Sequence, residues 1–236
     1  MARASVATSS TSVCQKTSSV PSGNCRCFAG DMARPLIILD RDGVVNHDSP
    51  LYVRSAEAWT PIDGAIEAIA TMCRAGYDVV IATNQAGVAK GLIPVAELDQ
   101  MHRKLEALVD AAGGQIARIY DCRHHPDHGC GCRKPQPGML LKACLDFDQR
   151  PEAVCFVGDA LTDMVAAARA GCQPVLVLTG KGQATQALAE FDPTIPVLGS
   201  LAEVPGWLAR RGDATQRCPD IRTDGLRSCT PPPAPQ

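Results

Sequence analysis

The sequence predicts an α/β fold, a doubly wound parallel sheet with helices on both faces. Short apolar runs of strand length alternate with stretches in which apolar residues recur at helical spacing. This alternation is typical of strand–helix–strand units, whose strands are parallel. The chain has 236 residues, enough for one such domain with terminal extensions. Ligands of such sheets bind beyond the carboxyl ends of the strands, so the residues after each apolar run are the candidates for a functional site.

Each predicted element is placed by its own pattern. Five apolar runs bounded by Gly, Pro or polar residues are typical of strands buried on both faces, namely residues 36–39, 77–82, 116–120, 154–157 and 175–178. Helical spacing predicts helices over 62–73 and 98–108, and Pro94 lies where the first turn of the second helix tolerates it. No insertion after the first or third run is long enough for another folded layer, so we expect no separate cap domain.

The two ends of the chain lack these patterns. Residues 1–31 are rich in Ser, Thr, Ala and Cys and show no periodicity, so we expect a disordered extension. Their composition is similar to that of a transit peptide, but Met32 directly precedes the first strand and favours a start of translation there. Residues 212–236 contain too few apolar residues to fold, and we expect a disordered tail. The predicted domain spans 32–211.

Composition and charge exclude several classes of protein. The formal net charge is −2 with mixed signs, so no basic stripe is available to bind nucleic acid. No run approaches the roughly 20 apolar residues of a membrane span. Twelve cysteines suggest a disulfide scaffold, but such scaffolds are small and lack this strand-and-helix pattern. Four of the cysteines lie in apolar periodic segments as small hydrophobic residues: Cys73, Cys144, Cys155 and Cys172. We expect a cytoplasmic, monomeric protein.

Two carboxylates follow the first predicted strand. Asp40 and Asp42 begin the segment Asp-Arg-Asp-Gly-Val-Val-Asn at the mouth of the sheet. A phosphate monoester carries two negative charges, so a carboxylate can attack its phosphorus only if a cation offsets the repulsion, and oxygen ligands select Mg²⁺. The ordinary alternative is a turn, because Asp-Gly is common after strands. The pair indicates phosphate chemistry only if other residues agree with it.

Further polar residues follow the later strands. Thr83 and Asn84 follow the second run, Lys134 lies in the loop after the third, and Asp159 and Asp163 follow the fourth. Taken singly, each residue has an ordinary explanation. Lys134 is then a solvent-exposed charge, and Asp163 is an acidic residue in the first turn of a helix. Their order at successive strand ends favours one shared site over these separate explanations.

These four motifs together resemble the haloacid dehalogenase superfamily of phosphatases, from about residue 36 to about residue 180. The resemblance implies a Rossmann-like fold in which Asp40 is the nucleophile. It implies that Asp42 protonates the leaving oxygen and later activates water, and that Thr83 and Lys134 steady the transferring phosphoryl group.

The same resemblance implies a magnesium site. Asp40, Asp159 and the main-chain carbonyl of Asp42 would hold Mg²⁺, whereas Asp163 would support that arrangement rather than touch the metal. Phosphoryl transfer mostly requires positioning and charge neutralisation from the protein, which agrees with these roles.

The loop over residues 122–132 carries a second metal signal. Cys-x-His and Cys-x-Cys stand a few residues apart, and three thiolates with one imidazole suit a structural Zn²⁺. The predicted ligands are Cys122, His124, Cys130 and Cys132, with His125 and His128 as weaker candidates. The alternative is a reactive thiol cluster prone to disulfide formation. A zinc ion here would fix the loop that delivers Arg133 and Lys134.

Within the superfamily, the Asp-Arg-Asp-Gly segment and the Cys-rich loop resemble the D-glycero-D-manno-heptose 1,7-bisphosphate phosphatases and, next, the histidinol-phosphate phosphatases. The former act on the C7 phosphate of a sugar during synthesis of nucleotide-activated heptose for lipopolysaccharide or S-layer glycans. The resemblance implies a set of substrate contacts: Asp48, Ser49, Pro50, Leu51, Thr83, Asn84, Gln85, Ala86 and Arg133.

This chain departs from its relatives at two of the motif positions. Ala86 replaces a frequent Ser, and Ala160 replaces a Lys that some relatives carry, so the contacts of those side chains are absent here. Two other functions stay open, a histidinol-phosphate phosphatase and a metal-binding module that has lost catalysis. Acidic side chains at the mouth of the pocket would favour the first of these.

Overall fold

The computed structural model describes residues 34–216, with side chains described as far as residue 211. Within this range six parallel strands form one sheet in the order β3-β2-β1-β4-β5-β6. The strands are β1 (Leu36–Leu39), β2 (Asp78–Asn84), β3 (Ile116–Cys122), β4 (Cys155–Gly158), β5 (Gln173–Val177) and β6 (Val197–Leu198). This order has its switch point between β1 and β4, and ligands bind outside the carboxyl ends of the strands at such a point.

Helices connect these strands and cover both faces of the sheet. They are α1 (Ala65–Arg74), α2 (Ala86–Ala89), α3 (Val95–Ala111), α4 (Gly138–Asp146), α5 (Leu161–Ala170), α6 (Gly182–Gln186) and α7 (Val204–Gln216). The buried side chains of α1, α3 and α7 pack in one apolar cluster, and those of α4 and α5 pack in another on the opposite face.

The central strand β1 shows why these residues form a strand buried on both faces. Ile37 and Leu39 belong to the apolar cluster beneath α1 and α3, whereas Leu36 and Ile38 belong to the cluster beneath α4. Successive side chains of a strand point to opposite faces, so a strand covered on both sides has to be apolar at every position. β1 pairs in parallel with β2 and β4, which places its end in the middle of the sheet edge.

The predicted doubly wound parallel sheet is confirmed, with shifted strand ends and one additional strand. β2 and β3 continue past their apolar runs because Thr83 and Asn84 pair with Asp121 and Cys122 in the ladder. β6 has only two residues, too few for a pattern in hydropathy. The described range 34–216 contains no folded layer over the sheet edge that would act as a cap.

The predicted terminal segments fall almost wholly outside the described residues. Residues 1–31 lie outside, and so does most of the predicted tail over 212–236. The last helix runs to Gln216, past the predicted domain end at residue 211. Among the helices of the described range, none is long and apolar enough to cross a membrane.

Candidate active site

The carboxyl ends of β1, β2 and β4 open into one cavity of about 920 Å³. Most of the residues predicted from the sequence to form the site line this cavity: Asp40, Asp42, Asp48, Ser49, Pro50, Thr83, Asn84, Arg133, Lys134, Asp159 and Asp163. Parallel strands end at the same edge of a sheet, which is how residues distant in sequence meet here.

Asp40 shares one ammonium group with Asp163. Nζ of Lys134 lies 2.7 Å from Oδ1 of Asp40 and 2.8 Å from Oδ1 of Asp163, and only 3% of Lys134 is exposed. Burial lowers the pKa of Lys134, but the charges of Asp163 and Asp40 outweigh burial and raise the pKa above its usual value. Lys134 is therefore held as a cation beside the Asp40 carboxylate.

The carboxylates of this cluster outnumber its cations. One oxygen from each of Asp40, Asp159 and Asp163 lies within 4.8 Å of the others. Burial, and then the charges of Asp163 and Asp159, raise the pKa of Asp40, although Lys134 opposes them. Three carboxylates beside one ammonium leave two negative charges without a partner. Their hard oxygen atoms and this charge fit one divalent cation such as Mg²⁺.

Asp163 differs from the other two carboxylates because both of its oxygens have protein partners. Oδ1 accepts from Lys134, and Oδ2 accepts from the main-chain N–H of Ala160 at 3.1 Å and of Asp159 at 3.3 Å. These bonds join the beginning of α5 to the end of β4 and leave Asp163 suited to a supporting role.

Two glycines allow the close approach of Asp159. Gly43 and Gly180 both have positive φ, of 91° and 56°, and a Cβ atom on either would lie 2.1 Å from Oδ2 of Asp159. The same oxygen accepts the main-chain N–H of Lys181 at 2.7 Å. Thr179 adds a hydrogen bond from its hydroxyl to the carbonyl of Gly43 at 2.7 Å. The loops after β1 and β5 thus enclose the Asp159 carboxylate.

The carboxylate of Asp42 is surrounded by donors. Nε and Nη2 of Arg41 donate to it at 3.0–3.2 Å, Nδ2 of Asn46 at 2.9 Å and Nε2 of Gln85 at 2.8 Å. Burial raises the pKa of Asp42, but the Arg41 charge and these hydrogen bonds outweigh burial and lower the pKa. Asp42 is consequently held in a defined position as a carboxylate.

The end of β2 contributes to the site in two ways. Thr83 lines the cavity, and its hydroxyl accepts a hydrogen bond from Nε2 of Gln85 at 2.9 Å. The Asn84 side chain makes two 3.0 Å hydrogen bonds with the main chain of Lys134, one to its carbonyl and one from its N–H. Asn84 thereby fixes the loop that carries Lys134.

Three of the predicted substrate contacts do not line the cavity. Gln85 and Ala86 are each only 2% exposed, and Gln85 uses its amide on Asp42 and Thr83. Leu51 is 70% exposed beside the lining residues 48–50. Arg133 does line the cavity, and its Nη1 atom is buried without a hydrogen-bond partner.

The four predicted zinc ligands converge in the loop after β3. Ligand atoms of Cys122, His124, Cys130 and Cys132 lie within 4.8 Å of one another. The three sulfurs are 3.3–3.6 Å apart, and Nδ1 of His124 is 3.2 Å from Sγ of Cys132. Tetrahedral ligands at zinc–sulfur distances of about 2.3 Å stand about 3.8 Å apart.

The three thiols of this cluster differ in pKa: burial raises the pKa of Cys122, burial and the neighbouring thiols raise that of Cys132 to about 12, and the pKa of Cys130 is lowered. Burial raises the pKa of Cys130, but hydrogen bonds from Cys132 and from the main chain of Arg133 lower it to about 7. A thiol with that pKa is about half ionised at neutral pH, and the thiolate is the form that binds metal. His125 and His128 lie outside the set of four converging atoms.

Two cations and a hydroxyl of the site carried no signal in the sequence. Arg41 stands between the two aspartates of the first motif, and that motif gives no role to its side chain. Thr179 and Lys181 follow the fifth predicted strand, and no motif marks that position. Only their position could have identified these three residues, because the residues after every strand of such a sheet lie at the edge where ligands bind.

Comparison with known proteins agrees with this geometry. A family model described as HAD-hydrolase-like matches residues 131–204. A D-glycero-β-D-manno-heptose-1,7-bisphosphate 7-phosphatase of Pseudomonas putida is 51% identical over 150 residues, which are 64% of this chain and 86% of that protein. The enzyme of the same name from Neisseria meningitidis serogroup B is 44% identical over 185 residues, covering 77% of this chain and 98% of that protein.

Solved structures show the same similarity. The D,D-heptose 1,7-bisphosphate phosphatase of Bordetella bronchiseptica, crystallised with magnesium and phosphate, aligns with a TM-score of 0.73 at 44% identity, covering 75% of this chain and 98% of that one. The Burkholderia thailandensis enzyme aligns with a TM-score of 0.59 at 33% identity, over 75% and 99% of the two chains. The chain therefore belongs to the family of the D-glycero-D-manno-heptose 1,7-bisphosphate phosphatases, in the haloacid dehalogenase superfamily.

Proposed function

We propose that this chain is a magnesium-dependent phosphatase that removes the C7 phosphate of D-glycero-D-manno-heptose 1,7-bisphosphate. The observation that carries the proposal is the shared contact of Lys134 with Asp40 and Asp163 at the end of the central strand. The buried Asp40 carboxylate lies beside the fixed Lys134 ammonium and beside two further carboxylates. Nucleophilic attack on a phosphate requires such an arrangement of charges.

In the first half of the reaction, a carboxylate oxygen of Asp40 attacks phosphorus and the ester P–O bond breaks. Asp42 passes to the leaving sugar oxygen the proton that it accepted from water in the preceding turnover, and Asp40 becomes an aspartyl phosphate. Lys134 and the Thr83 hydroxyl contact the oxygens of the transferring group. Asp40, Asp159 and the main-chain carbonyl of Asp42 would hold Mg²⁺, which offsets the repulsion between the phosphate and the carboxylate.

In the second half, Asp42 accepts a proton from water, whose oxygen attacks the phosphorus of the aspartyl phosphate. The acyl phosphate P–O bond breaks, inorganic phosphate leaves, and the Asp40 carboxylate is restored. The three donors around Asp42 keep its carboxylate ionised, as this half of the reaction requires. Asp163 keeps Lys134 and the beginning of α5 in place throughout.

Substrate selection is assigned to the loops, because no cap covers the cavity in the described range. The guanidinium of Arg133 can grip the second phosphate or sugar oxygens with two nitrogens. Asp48, the one acid among residues 47–54, is already paired with Lys181 at 2.8 Å. Outside the proposed magnesium site, a cationic substrate such as histidinol phosphate would therefore meet Arg133 and Lys181 without a free acid in the loop over residues 47–54, which disfavours that alternative.

The loop over 122–132 is proposed to hold one structural Zn²⁺ through Cys122, His124, Cys130 and Cys132. Four protein ligands close the coordination sphere, so the ion would stabilise the loop without joining the chemistry. We place the reaction in the cytoplasm, where thiols stay reduced and free to bind metal. Asp40, Thr83, Lys134 and Asp159 meet at the sheet edge of this chain, and we propose the monomer as the active unit.

A phosphate-release assay tests this function. Purified protein with Mg²⁺ is given heptose 1,7-bisphosphate, heptose 1-phosphate and histidinol phosphate under identical conditions. We expect the highest kcat/KM by far for the bisphosphate, and a heptose 1-phosphate as the remaining sugar product. Equal kcat/KM for histidinol phosphate and the bisphosphate would refute the heptose assignment, while turnover of neither would refute the phosphatase itself.

A further inference from the structure

Lys181 is a cation of the cavity to which the mechanism above gives no part. It lies in the loop after β5 and lines the cavity together with the catalytic carboxylates. Its side chain is 65% exposed, yet its Nζ atom is 2.8 Å from Oδ2 of Asp48. An exposed lysine side chain usually samples many rotamers. The ion pair with Asp48 restricts the position of the Lys181 ammonium group.

The main chain of Lys181 is also fixed. Its N–H donates to Oδ2 of Asp159 at 2.7 Å, and the preceding Gly180 packs so closely that a Cβ there would lie 2.6 Å from Cα of Gly43. The loop after β5 is thus attached to the proposed magnesium site by its backbone. Its side chain extends from there toward Asp48, which lies in the loop between β1 and α1.

Lys181 and Arg133 approach the cavity from opposite sides of the sheet centre. Arg133 follows β3 and Lys181 follows β5, and the strand order β3-β2-β1-β4-β5 places the end of β1, with Asp40, between them. The phosphate over Asp40 already has Lys134 as its cation. A substrate with a second phosphate brings another two negative charges, and Lys181 and Arg133 are the cations left in the cavity lining to meet them.

We propose that Lys181 determines specificity by binding the phosphate that is not transferred, an inference that rests on the proposed function. An ammonium group has three N–H donors, so Lys181 can keep its bond to Asp48 while donating to a phosphate oxygen. Asp48 then acts as the positioning residue that holds the ammonium ready. Lys181 and Arg133 then bind the second phosphate from opposite sides.

The test compares Lys181→Met with wild type on two substrates that share the reacting C7 phosphate. These are heptose 1,7-bisphosphate and heptose 7-phosphate, which lacks the second phosphate. We expect Lys181→Met to raise KM for the bisphosphate about tenfold, because a charge-assisted hydrogen bond is lost. Turnover of the bisphosphate and both constants for heptose 7-phosphate should change by less than about twofold. Lys181→Arg should recover most of the lost affinity.

Lys142→Met is the matched control, because Lys142 is 58% exposed and also pairs with one carboxylate, Asp146, but lies on α4. It should behave as wild type with both substrates. A direct readout comes from calorimetry in an Asp40→Asn background, in which Lys181→Met should weaken binding of the bisphosphate alone.

The outcomes separate the inference from the function on which it rests. If wild type prefers the bisphosphate and Lys181→Met keeps the full preference, the role of Lys181 is wrong and the proposed function stands. Equal losses on both substrates would mean that Lys181 acts on the transferred phosphate through Asp159, which also overturns the inference. If wild type shows no preference, the proposed substrate fails and the inference fails with it.

Discussion

Arg41 holds the carboxylate of Asp42 with two nitrogens of its guanidinium, at 3.0–3.2 Å, and only 1% of Arg41 is exposed. The two residues are neighbours in sequence, so the turn after β1 has to place both side chains on one side. The carbonyl of Arg41 accepts the N–H groups of Val45 and Asn46, which closes that turn. The ion pair is therefore part of the turn that positions the proposed acid–base residue.

This pair predicts a pH-dependent contribution to stability. The Asp42 carboxyl has a lowered pKa in the folded protein, against about 3.9 in an unfolded chain. Arg41→Met should reduce the free energy of unfolding by about 2 kcal/mol at neutral pH. The difference from wild type should persist above about pH 4 and disappear as the pH falls through the lowered folded value, where Asp42 becomes protonated. Denaturant unfolding at several pH values measures it.

The control for this prediction is an exposed arginine in a similar ion pair. Arg118 lies 2.9 Å from Asp146 and its side chain is 55% exposed. Arg118→Met should leave stability nearly unchanged, because solvent screens such pairs. Equal losses in the two variants would show that burial of Arg41 adds nothing to the pair.

Asp40→Asn should abolish turnover. An amide cannot form the aspartyl phosphate, while Lys134 keeps its contact with Asp163 and the fold survives. Phosphate release should fall to background, with a thermal midpoint close to that of wild type. Acid quenching of wild type with substrate, followed by peptide mass spectrometry, should find the phosphoryl group on Asp40. A phosphorylated residue elsewhere would contradict the proposed nucleophile.

Gly43→Ala should impair the magnesium site. The new Cβ would lie 2.1 Å from Oδ2 of Asp159, so the carboxylate has to move. We expect the Mg²⁺ concentration for half-maximal activity to rise at least tenfold. Gly76→Ala is a close control, because Gly76 has φ of 92° against 91° for Gly43 but has nothing within 4 Å of its Cβ position. It carries the same backbone strain and should leave the Mg²⁺ requirement unchanged.

The zinc prediction concerns content and stability together. Protein purified under reducing conditions should contain about one Zn²⁺ per chain, and Cys130→Ser or Cys132→Ser should lower zinc content, thermal midpoint and activity in parallel. Cys73→Ser is the control, because Cys73 is also free but its sulfur lies at the carbonyl of Gln115, away from the cluster. The proposed site would be contradicted if elemental analysis found no zinc in the purified protein, or if the protein kept full activity after complete removal of zinc.

Hydropathy and motif order predicted the parts of the fold that depend on local pattern. The run 36–39 is β1 with the same bounds, because every residue of a fully buried strand is apolar. The motif aspartates and Lys134 meet as expected, since parallel strands end at one edge. Ligand spacing in the Cys-rich loop likewise predicted the four converging atoms.

Contacts between distant loops were not predictable in this way. The approach of Gly180 to Asp159 and the pairing of Lys181 with Asp48 join segments that share no periodicity. Gln85 was predicted as a substrate contact, but its amide is used on Asp42 and Thr83, a choice that depends on packing rather than on spacing. Such partners are set by the three-dimensional arrangement of whole elements, which a single sequence does not encode locally.

The two hydrogen bonds between Asn84 and the main chain of Lys134 attach the segment after the Cys-rich loop to the end of β2. The attachment lies C-terminal to the last cysteine of the loop, so Lys134 has an anchor on β2 that is separate from the proposed zinc ligands. A single amide side chain thus gives the proposed catalytic lysine a second support besides the loop that precedes it.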